Sequence, residues 1–212
     1  MHKSEEIKVQ AVRLMAEMGF EALSLRQLAA AAGLRPGSIY THYQSKAQLL
    51  CEVCCDYLED LLATWQERRQ LRGQCARQQL LGFVAVHIAF ARARPQESRI
   101  VRLDARSLDE AGRALVDELR RQHAAELESI LYRGVQEGVF HMADVQVTSL
   151  GVLYLLQGFA AAAGVREAQA SAACAESVLR LVGACVPAQL ASALARGADL
   201  RAADGRAAAL PG

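Results

Sequence analysis

A twelve-residue stretch, RPGSIYTHYQSK at residues 35–46, is rich in side chains that can form hydrogen bonds. It holds two tyrosines, two serines, a threonine, a histidine, an arginine and a lysine. Guanidinium, hydroxyl and imidazole groups suit the edges of bases and the oxygens of phosphates. The stretch therefore predicts a nucleic-acid contact, provided that the neighbouring elements present it to solvent. The alternative is a surface turn of an ordinary helical protein, with His42 as a structural histidine.

The residues before this stretch predict two helices. Apolar residues recur at helical spacing along a first helix that ends at Gly19, and they form one stripe: Ile7, Ala11, Leu14, Met15 and Met18. Ser24 is a candidate N-cap for a helix of about two turns that ends at Gly33.

Two further helices follow. Pro36 suits a first helical position, so PGSIYTHY is predicted as another short helix. Ser45 is the candidate N-cap of a fourth helix that begins at Lys46 and runs toward Arg69. Two short helices joined by a glycine-containing turn, with a longer helix before them, form a helix-turn-helix.

In such an arrangement the second short helix enters the DNA major groove with its first residues toward the bases. An arginine can bind guanine with two hydrogen bonds, and a threonine or proline can contact the thymine methyl group. The predicted base-reading residues are Arg35, Pro36, Gly37, Ser38 and Thr41. The predicted phosphate contacts are Ser24, Gln27, Tyr40, His42, Tyr43 and Lys46, the last beside the free N–H groups of a helix start.

Residues 24–50, SLRQLAAAAGLRPGSIYTHYQSKAQLL, resemble the DNA-binding domain of the tetracycline-repressor (TetR) family of bacterial regulators. The match includes the Gly33 turn, the Gly37-Ser38-x-Tyr40 segment and the Ser45-Lys46 helix start. At Tyr43 the family more often has a buried phenylalanine, so the tyrosine hydroxyl needs a partner, either a DNA phosphate or a solvent edge. The resemblance implies a ligand-responsive regulator, usually a repressor, with a helical ligand-binding and dimerising domain behind the DNA-binding one.

Composition agrees with a globular protein, because 52% of the 212 residues are apolar and 22% are charged. The formal net charge is only +1, so any nucleic-acid surface must be a local patch. The N-terminal residues include acidic side chains and no long apolar run, which predicts a cytoplasmic protein without a signal peptide. Residues 147–165 are nearly long enough to cross a bilayer, but Gln157 and the small residues around it favour contact between helices.

Helical periodicity in nearly every segment predicts an all-α fold with two domains. Residues 1–47 are expected to form the helix-turn-helix DNA-binding domain, residues 48–187 the effector-binding and dimerisation domain, and residues 188–212 an alanine-rich flexible tail. The last two main helices resemble the family's dimer interface, and a homodimer suits a palindromic operator. The predicted interface residues are Leu150, Leu153, Tyr154, Gln157, Ala161, Val178, Leu181 and Val182.

The second domain offers a candidate effector pocket of aromatic residues with polar anchors, although such residues also line ordinary cores. The candidates are Trp65, Phe83, His87, Phe90, Arg99, Arg102, Tyr132, Tyr154, Gln157 and Phe159. Residues 90–108 loosely resemble the acyl-CoA-responsive branch of the family. Arginines there, among them Arg99 and Arg102, would meet the phosphates of coenzyme A or form a solvated basic face. The expected partners are therefore operator DNA, a second copy of the chain and a small, largely apolar effector such as an acyl-CoA.

Cysteines on the fourth helix raise an alternative, a redox- or metal-responsive regulator that acts through Cys51, Cys54 and Cys55. No set of cysteine and histidine motifs completes a four-ligand site, so the simpler interpretation is small thiols that fill gaps between helices. An enzyme is disfavoured because the sequence has no Gly-x-Gly-x-x-Gly, no phosphate loop and no His-Glu-x-x-His. We predict no catalytic residue, no metal site and no cofactor.

Overall fold

The structure, a computed structural model, describes residues 3–69 and 74–184. These residues form eight α-helices and two short 3-10 helices and contain no strand, which confirms the all-α prediction. The α-helices are α1 (Lys3–Met18), α2 (Leu25–Ala31), α3 (Lys46–Arg69), α4 (Ala76–Ala93), α5 (Pro95–Leu103), α6 (Glu110–Gln136), α7 (Val145–Ala161) and α8 (Glu167–Leu181). The 3-10 helices are Ser38–Thr41 and Ala105–Ser107. The predicted tail at residues 188–212 lies outside the described residues.

The chain forms two compact units. The first contains the described residues up to Glu67 together with Phe90–Ala125, and the second contains Arg68–Ala89 and the described residues from Glu126 onward. Helices α3, α4 and α6 each continue from one unit into the other. The domain boundary expected after residue 47 falls inside the first unit, because α3 begins at Lys46 and continues unbroken.

Helix α1 forms the apolar stripe that the sequence predicts, except at its last position. Ile7, Ala11 and Met15 are fully buried, whereas Met18 is exposed. Gly19 directly after it has a φ of +82°, a conformation that favours glycine. The helix ends at Met18, whose side chain faces solvent, so Met18 is not part of the stripe.

Two caps define the helices around the turn. Ser24 and Gln27 form a capping box at the start of α2, in which the Gln27 N–H donates to Ser24 Oγ at 3.2 Å. Gly33 follows α2 with a φ of +66°. Ser45 Oγ accepts the Gln48 N–H at 3.1 Å, as expected for the N-cap of α3.

The second short helix is shorter than predicted. The segment PGSIYTHY was expected to be helical from Pro36, but only Ser38–Thr41 forms a 3-10 helix. A single turn of this kind has no stretch in which i to i−4 bonds can accumulate, so its conformation depends on packing. Ile39 supplies that packing, because its side chain is completely buried in the core of the first unit.

In the second unit, the turn after α6 is packed without spare volume. The Phe140 N–H donates to the Gly134 carbonyl at 3.0 Å, and a Cβ added to Gly134 would lie 1.9 Å from Phe140 Cδ2. The His141 N–H donates to the Val182 carbonyl at 2.8 Å, which connects this turn to the end of α8. Helices α7 and α8 pack against each other.

Membrane crossing was the alternative for residues 147–165. Within the described part of the chain, none of the helices combines the length and the apolar character that a bilayer requires. Helix α7 itself has 17 residues and begins with the N-cap Asp144, whose side chain accepts the Val147 N–H at 2.9 Å.

Candidate functional site

The predicted base-reading residues lie at the surface of the first unit. Arg35, Pro36, Gly37 and Thr41 are exposed, and Ser38 is half-buried. They flank the buried Ile39, which fixes the short helix in the core. The buried side chain of Ile39 thus anchors a turn that presents a guanidinium group, two hydroxyl groups and an unobstructed glycine to solvent. Their contact with DNA remains a prediction, and the geometry leaves these side chains accessible.

The structure restricts the hydrogen bonds that the Thr41 hydroxyl can form with DNA. Its hydroxyl donates to the Ser38 carbonyl at 2.8 Å. Because that proton is used inside the turn, the hydroxyl oxygen can accept a hydrogen bond from a base but has no second proton to donate. The exposed methyl group of Thr41 is available for a thymine methyl group.

The capping box also orients two predicted phosphate contacts. Gln27 Oε1 accepts the Ser24 N–H at 2.9 Å and the Ser24 hydroxyl at 2.8 Å. The amide oxygen of Gln27 is therefore occupied at the cap, and its Nε2 group is the end that can donate to a phosphate. Both residues are exposed.

Tyr43 is not accessible to DNA. Its side chain is 1% exposed, and its hydroxyl lies 3.2 Å from Ser4 Oγ. Burial is the main cause that raises the pKa of the Tyr43 hydroxyl. The partner required by this tyrosine is therefore a serine of α1, and we remove Tyr43 from the predicted phosphate contacts. Only the tertiary structure reveals this pair, because its members are 39 positions apart.

Lys46 is also engaged within the chain. Its ammonium group donates to the carbonyls of Phe20 at 3.3 Å and Glu21 at 3.0 Å, and it lies 4.6 Å from the centre of the Phe20 ring. The lysine thus stabilises the loop after α1 from the first position of α3. A phosphate contact by this ammonium would require it to leave those carbonyls. The exposed Tyr40 and the half-buried His42 remain candidates for phosphate contacts.

Three polar contacts position the helices behind the turn, and the sequence indicated none of them. The Arg99 Nη1 group of α5 donates to the Ala16 carbonyl of α1 at 2.7 Å, and the Ser107 hydroxyl donates to the Glu21 carboxylate at 2.8 Å. Lys8 of α1 donates to Asp56 of α3 at 2.6 Å. Arg99, predicted to face an effector, therefore binds the end of α1 instead.

The exposed face of α7 is apolar. Val147, Leu150 and Tyr154 lie three and four positions apart and are 68%, 56% and 65% exposed. Gln157 and Ala161 continue the same exposed face. We call these five residues the α7 face.

The other residues predicted for the dimer interface differ in their exposure to solvent. Leu181 of α8 is exposed, and a Cβ added to Gly151 of α7 would lie 3.4 Å from its Cδ2 atom. Leu153 is half-buried. Val178 and Val182 are fully buried in the core of the second unit, so they are not available to a partner. The apolar residues of α8 that the sequence assigned to an interface are thus largely used within the chain.

The effector candidates are divided between the two units. In the first unit, Trp65 is buried, Phe90 packs against Tyr57 with ring centres 5.2 Å apart, and Arg94 lies 5.3 Å from the Phe90 ring. Arg102 is exposed.

In the second unit, Phe83 and His87 are buried with ring centres 6.3 Å apart, and Phe159 is half-buried. Tyr132, Tyr154 and Gln157 are exposed at the surface, so they do not line an enclosed pocket of this unit. The buried Phe83 and His87 pair is the part of the predicted set that suits an apolar cavity with a polar anchor.

Two of the three α3 thiols, Cys54 and Cys55, have pKa values raised above the ordinary thiol range. Cys54 is fully buried, and burial raises its pKa to about 12. Burial also raises the pKa of Cys55, with a further contribution from Cys51. Few thiolates are then present near neutral pH, which slows reaction with peroxide. In the described segments, no three His, Cys, Asp or Glu side chains are grouped closely enough to hold a metal ion.

Two family models match the chain. One, described as bacterial regulatory proteins of the tetR family, matches residues 7–53. The other, described as a tetracyclin repressor-like C-terminal domain, matches residues 73–161. Together they span the helix-turn-helix and all of α4, α5, α6 and α7.

Curated relatives match over the N-terminal part. The HTH-type transcriptional repressor KstR2 of Mycolicibacterium smegmatis is 34% identical over 65 residues, which are 31% of this chain and 32% of that protein. The match thus spans about a third of the length of this relative.

Solved structures match over most of the chain. A tetR-family regulatory protein from Rhodococcus RHA1 has a TM-score of 0.83 at 22% identity and covers 88% of this chain and 100% of its own. AibR, solved in complex with isovaleryl coenzyme A and operator DNA, has a TM-score of 0.76 at 20% identity and covers 87% of this chain and 100% of its own. At these identities the likeness shows a common fold.

Proposed function

The chain belongs to the TetR family of bacterial regulatory proteins, and we propose that it is a repressor that binds a palindromic DNA operator as a homodimer. Members of this family are DNA-binding transcriptional regulators and not enzymes. The observation that carries the proposal is the exposed turn around Ile39. It places Arg35, Ser38 and Thr41 at the surface on a rigid base, as major-groove recognition requires.

The α7 face supports a homodimer. Three large apolar side chains at helical spacing are more than half exposed, and monomeric proteins rarely expose such a continuous apolar stripe. A two-fold axis would bring the same face of a second copy against it, with Leu181 at its edge. The turns around Ile39 in the two copies would then contact half-sites about one helical turn apart.

We assign the DNA-binding role to residues 1–47 and the effector and dimer roles to residues 48–187, in the cytoplasm. Effector binding would act by population shift. A ligand that favours one separation of the two DNA-binding domains by about 2.7 kcal/mol lowers operator affinity about a hundredfold. Helix α3 is the proposed route, because it begins at Lys46, a few residues after the turn around Ile39, and continues into the second unit.

The proposed effector is a small, largely apolar molecule, with an acyl-CoA as the specific candidate. The isovaleryl coenzyme A bound to AibR, which shares the fold, supports this choice. The buried Phe83 and His87 pair suits an acyl chain next to a polar group. Arg94 and Arg99 do not support it, because Arg94 pairs with Asp60 and Glu97 and Arg99 binds the Ala16 carbonyl.

Two experiments test the proposal at separate points. Affinity for a mixed-sequence DNA duplex should fall steeply as salt rises, because each phosphate contact releases a counterion. A flat salt dependence would remove the turn as a DNA contact. Titration calorimetry with acyl-CoAs of short and long chain should give heat for one chain length. No heat with any of them would exclude this effector class and leave the DNA-binding role intact.

A further inference from the structure

Two thiols of α3 lie side by side. Cys51 and Cys55 are one helical turn apart, and their Sγ atoms are 3.9 Å from each other. Both residues are half-buried, whereas Cys54 between them is fully buried in the core. The pair is therefore reachable from solvent, and its two sulfurs point to the same side of the helix.

The separation of the sulfurs suits a single bridging atom. Thiolate sulfur bonds a soft centre at about 2.3 Å, so two sulfurs on one pyramidal or trigonal centre are about 3.5–4.0 Å apart. The observed 3.9 Å lies in this range, and no backbone movement is needed. A direct disulfide suits the pair less well. Cβ atoms one turn apart on a helix are about 5–6 Å from each other, whereas a disulfide requires about 3.5–4.5 Å.

The number of protein ligands around the two sulfurs restricts which atom can bridge them. Among the described residues, no third His, Cys, Asp or Glu side chain completes a metal site around these thiols, so zinc in a closed four-ligand site is not supported. A centre that takes two sulfurs and carries its own third substituent needs no further protein ligand.

We propose that Cys51 and Cys55 form a dithiol binding site for trivalent organoarsenicals. A compound R–As(OH)₂ would condense with the two thiols to give R–As(SR′)₂ and two molecules of water. Two As–S bonds form and two As–O bonds break, and each thiol proton leaves on a hydroxide. Arsenic stays trivalent, so the reaction needs no oxidant or reductant. Because the protons leave as water, neutral thiols are competent.

The surroundings restrict where the organic substituent can point. Cys51 Sγ lies 3.9 Å from the Gly112 carbonyl of α6, and a Cβ added to Gly112 would come within 3.3 Å of this sulfur. The side toward Gly112 therefore has no room for a phenyl group. We expect the substituent to extend past Cys55 toward solvent.

The test uses phenylarsine oxide with the full native chain. Native mass spectrometry should show one phenylarsenic group per chain, released by the dithiol 2,3-dimercaptopropanol and retained in excess 2-mercaptoethanol, because a chelate resists a monothiol. Cys51→Ser and Cys55→Ser should each weaken binding at least tenfold, with circular dichroism to verify that the helices are intact.

Two control variants locate the site. Cys54→Ser removes the buried thiol between the pair, and Cys75→Ser removes an exposed single thiol. Both should bind phenylarsine oxide as the parent does. Binding that survives both Cys51→Ser and Cys55→Ser, or that is lost with Cys54→Ser, would overturn the proposal. These readouts do not involve DNA, so they are independent of the proposed repressor function.

Discussion

The reading turn at residues 35–46 and the α7 face expose opposite chemistry. The turn buries Ile39 and Tyr43 and exposes polar and charged groups such as Arg35 and Thr41. The α7 face exposes Val147, Leu150 and Tyr154, while Ser149, Val152 and Leu156 on the other side of the helix are buried. A polar, charged surface suits contact with a polyanion such as DNA, and an apolar surface suits contact with a second copy of the protein.

The difference also concerns how each surface is held. Ile39 anchors the turn in the core, and hydrogen bonds orient its polar groups and those of its flanks, from the Ser24 and Gln27 capping box to the contact between Thr41 and the Ser38 carbonyl. Helix α7 is held by packing against α8. Single polar substitutions should therefore affect the turn, whereas charge placed on the α7 face should affect association.

The largest expected effect follows from charging the α7 face. The double variant Leu150→Asp, Tyr154→Asp would bury two unpaired carboxylates in the proposed interface, and we expect the dimer dissociation constant to rise more than about a hundredfold. Sedimentation velocity at micromolar concentration should then show a monomer with native helix content. Tyr132→Asp is the matched control, because Tyr132 is an exposed tyrosine of α6. A double variant that remains dimeric would place the interface elsewhere.

A smaller effect is expected at the turn. Arg35→Ala should cost about 1–3 kcal/mol of operator binding and relax the preference at one base pair, because it removes a bidentate contact with guanine. Fluorescence anisotropy with operators varied at each position measures both quantities. Arg13→Ala, an exposed arginine of α1 that binds Gln10, controls for the loss of positive charge. Equal losses at every base pair would make Arg35 a phosphate contact.

Alkaline pH should weaken both units in the same way. Cys54 in the first unit and Cys174 in the second are buried thiols with pKa values raised from 9.0 to about 12. Between these values the unfolded thiol loses its proton and the folded thiol keeps it. The free energy of unfolding should therefore fall by about 1 kcal/mol per pH unit for each thiol above pH 9.

Urea denaturation from pH 8 to 10.5 measures this slope. Cys54→Ala and Cys174→Ala should each flatten it relative to the parent, whatever their effect at pH 8. Because other groups titrate in the same range, only the difference between parent and variant is assigned to the thiol. An unchanged slope in either variant would mean that water reaches that sulfur.

The smallest effect concerns two tyrosine hydroxyls of the turn. Tyr43→Phe removes a buried hydroxyl with its contacts to Ser4 and Glu52, so it should lower stability by about 1 kcal/mol and leave operator affinity and its salt dependence unchanged. Tyr40→Phe removes an exposed hydroxyl and should weaken operator binding without loss of stability. Operator binding that is weakened by Tyr43→Phe and not by Tyr40→Phe would reverse this assignment.

Local signals in the sequence were sufficient for most of the fold. The Ser24 cap, the Gly33 turn and the start of α3 after Ser45 depend on residues within a few positions of each other, and the structure has them as predicted. The length of the second short helix was overestimated, because its conformation depends on how Ile39 packs in the core and not on local helical signals.

Long-range contacts account for the errors at the candidate sites. The partners of Tyr43 and Lys46 lie 39 and 25 or 26 positions away, and Arg99 binds a carbonyl 83 positions away. The interface prediction for α8 was wrong in part for the same reason, because local periodicity does not show what a helix face packs against. Helical periodicity places Val178 and Val182 on one face, but only the packing shows that this face is turned into the core.

Selection of bound duplexes from a random DNA pool tests the central claim most directly. The purified chain should enrich one palindrome with half-sites about one helical turn apart, and the Arg35→Ala variant should lose the preference at one symmetric pair of positions. If the chain retains duplexes without enriching any sequence, or retains none, the turn around Ile39 does not read DNA bases and the proposed repressor function is wrong.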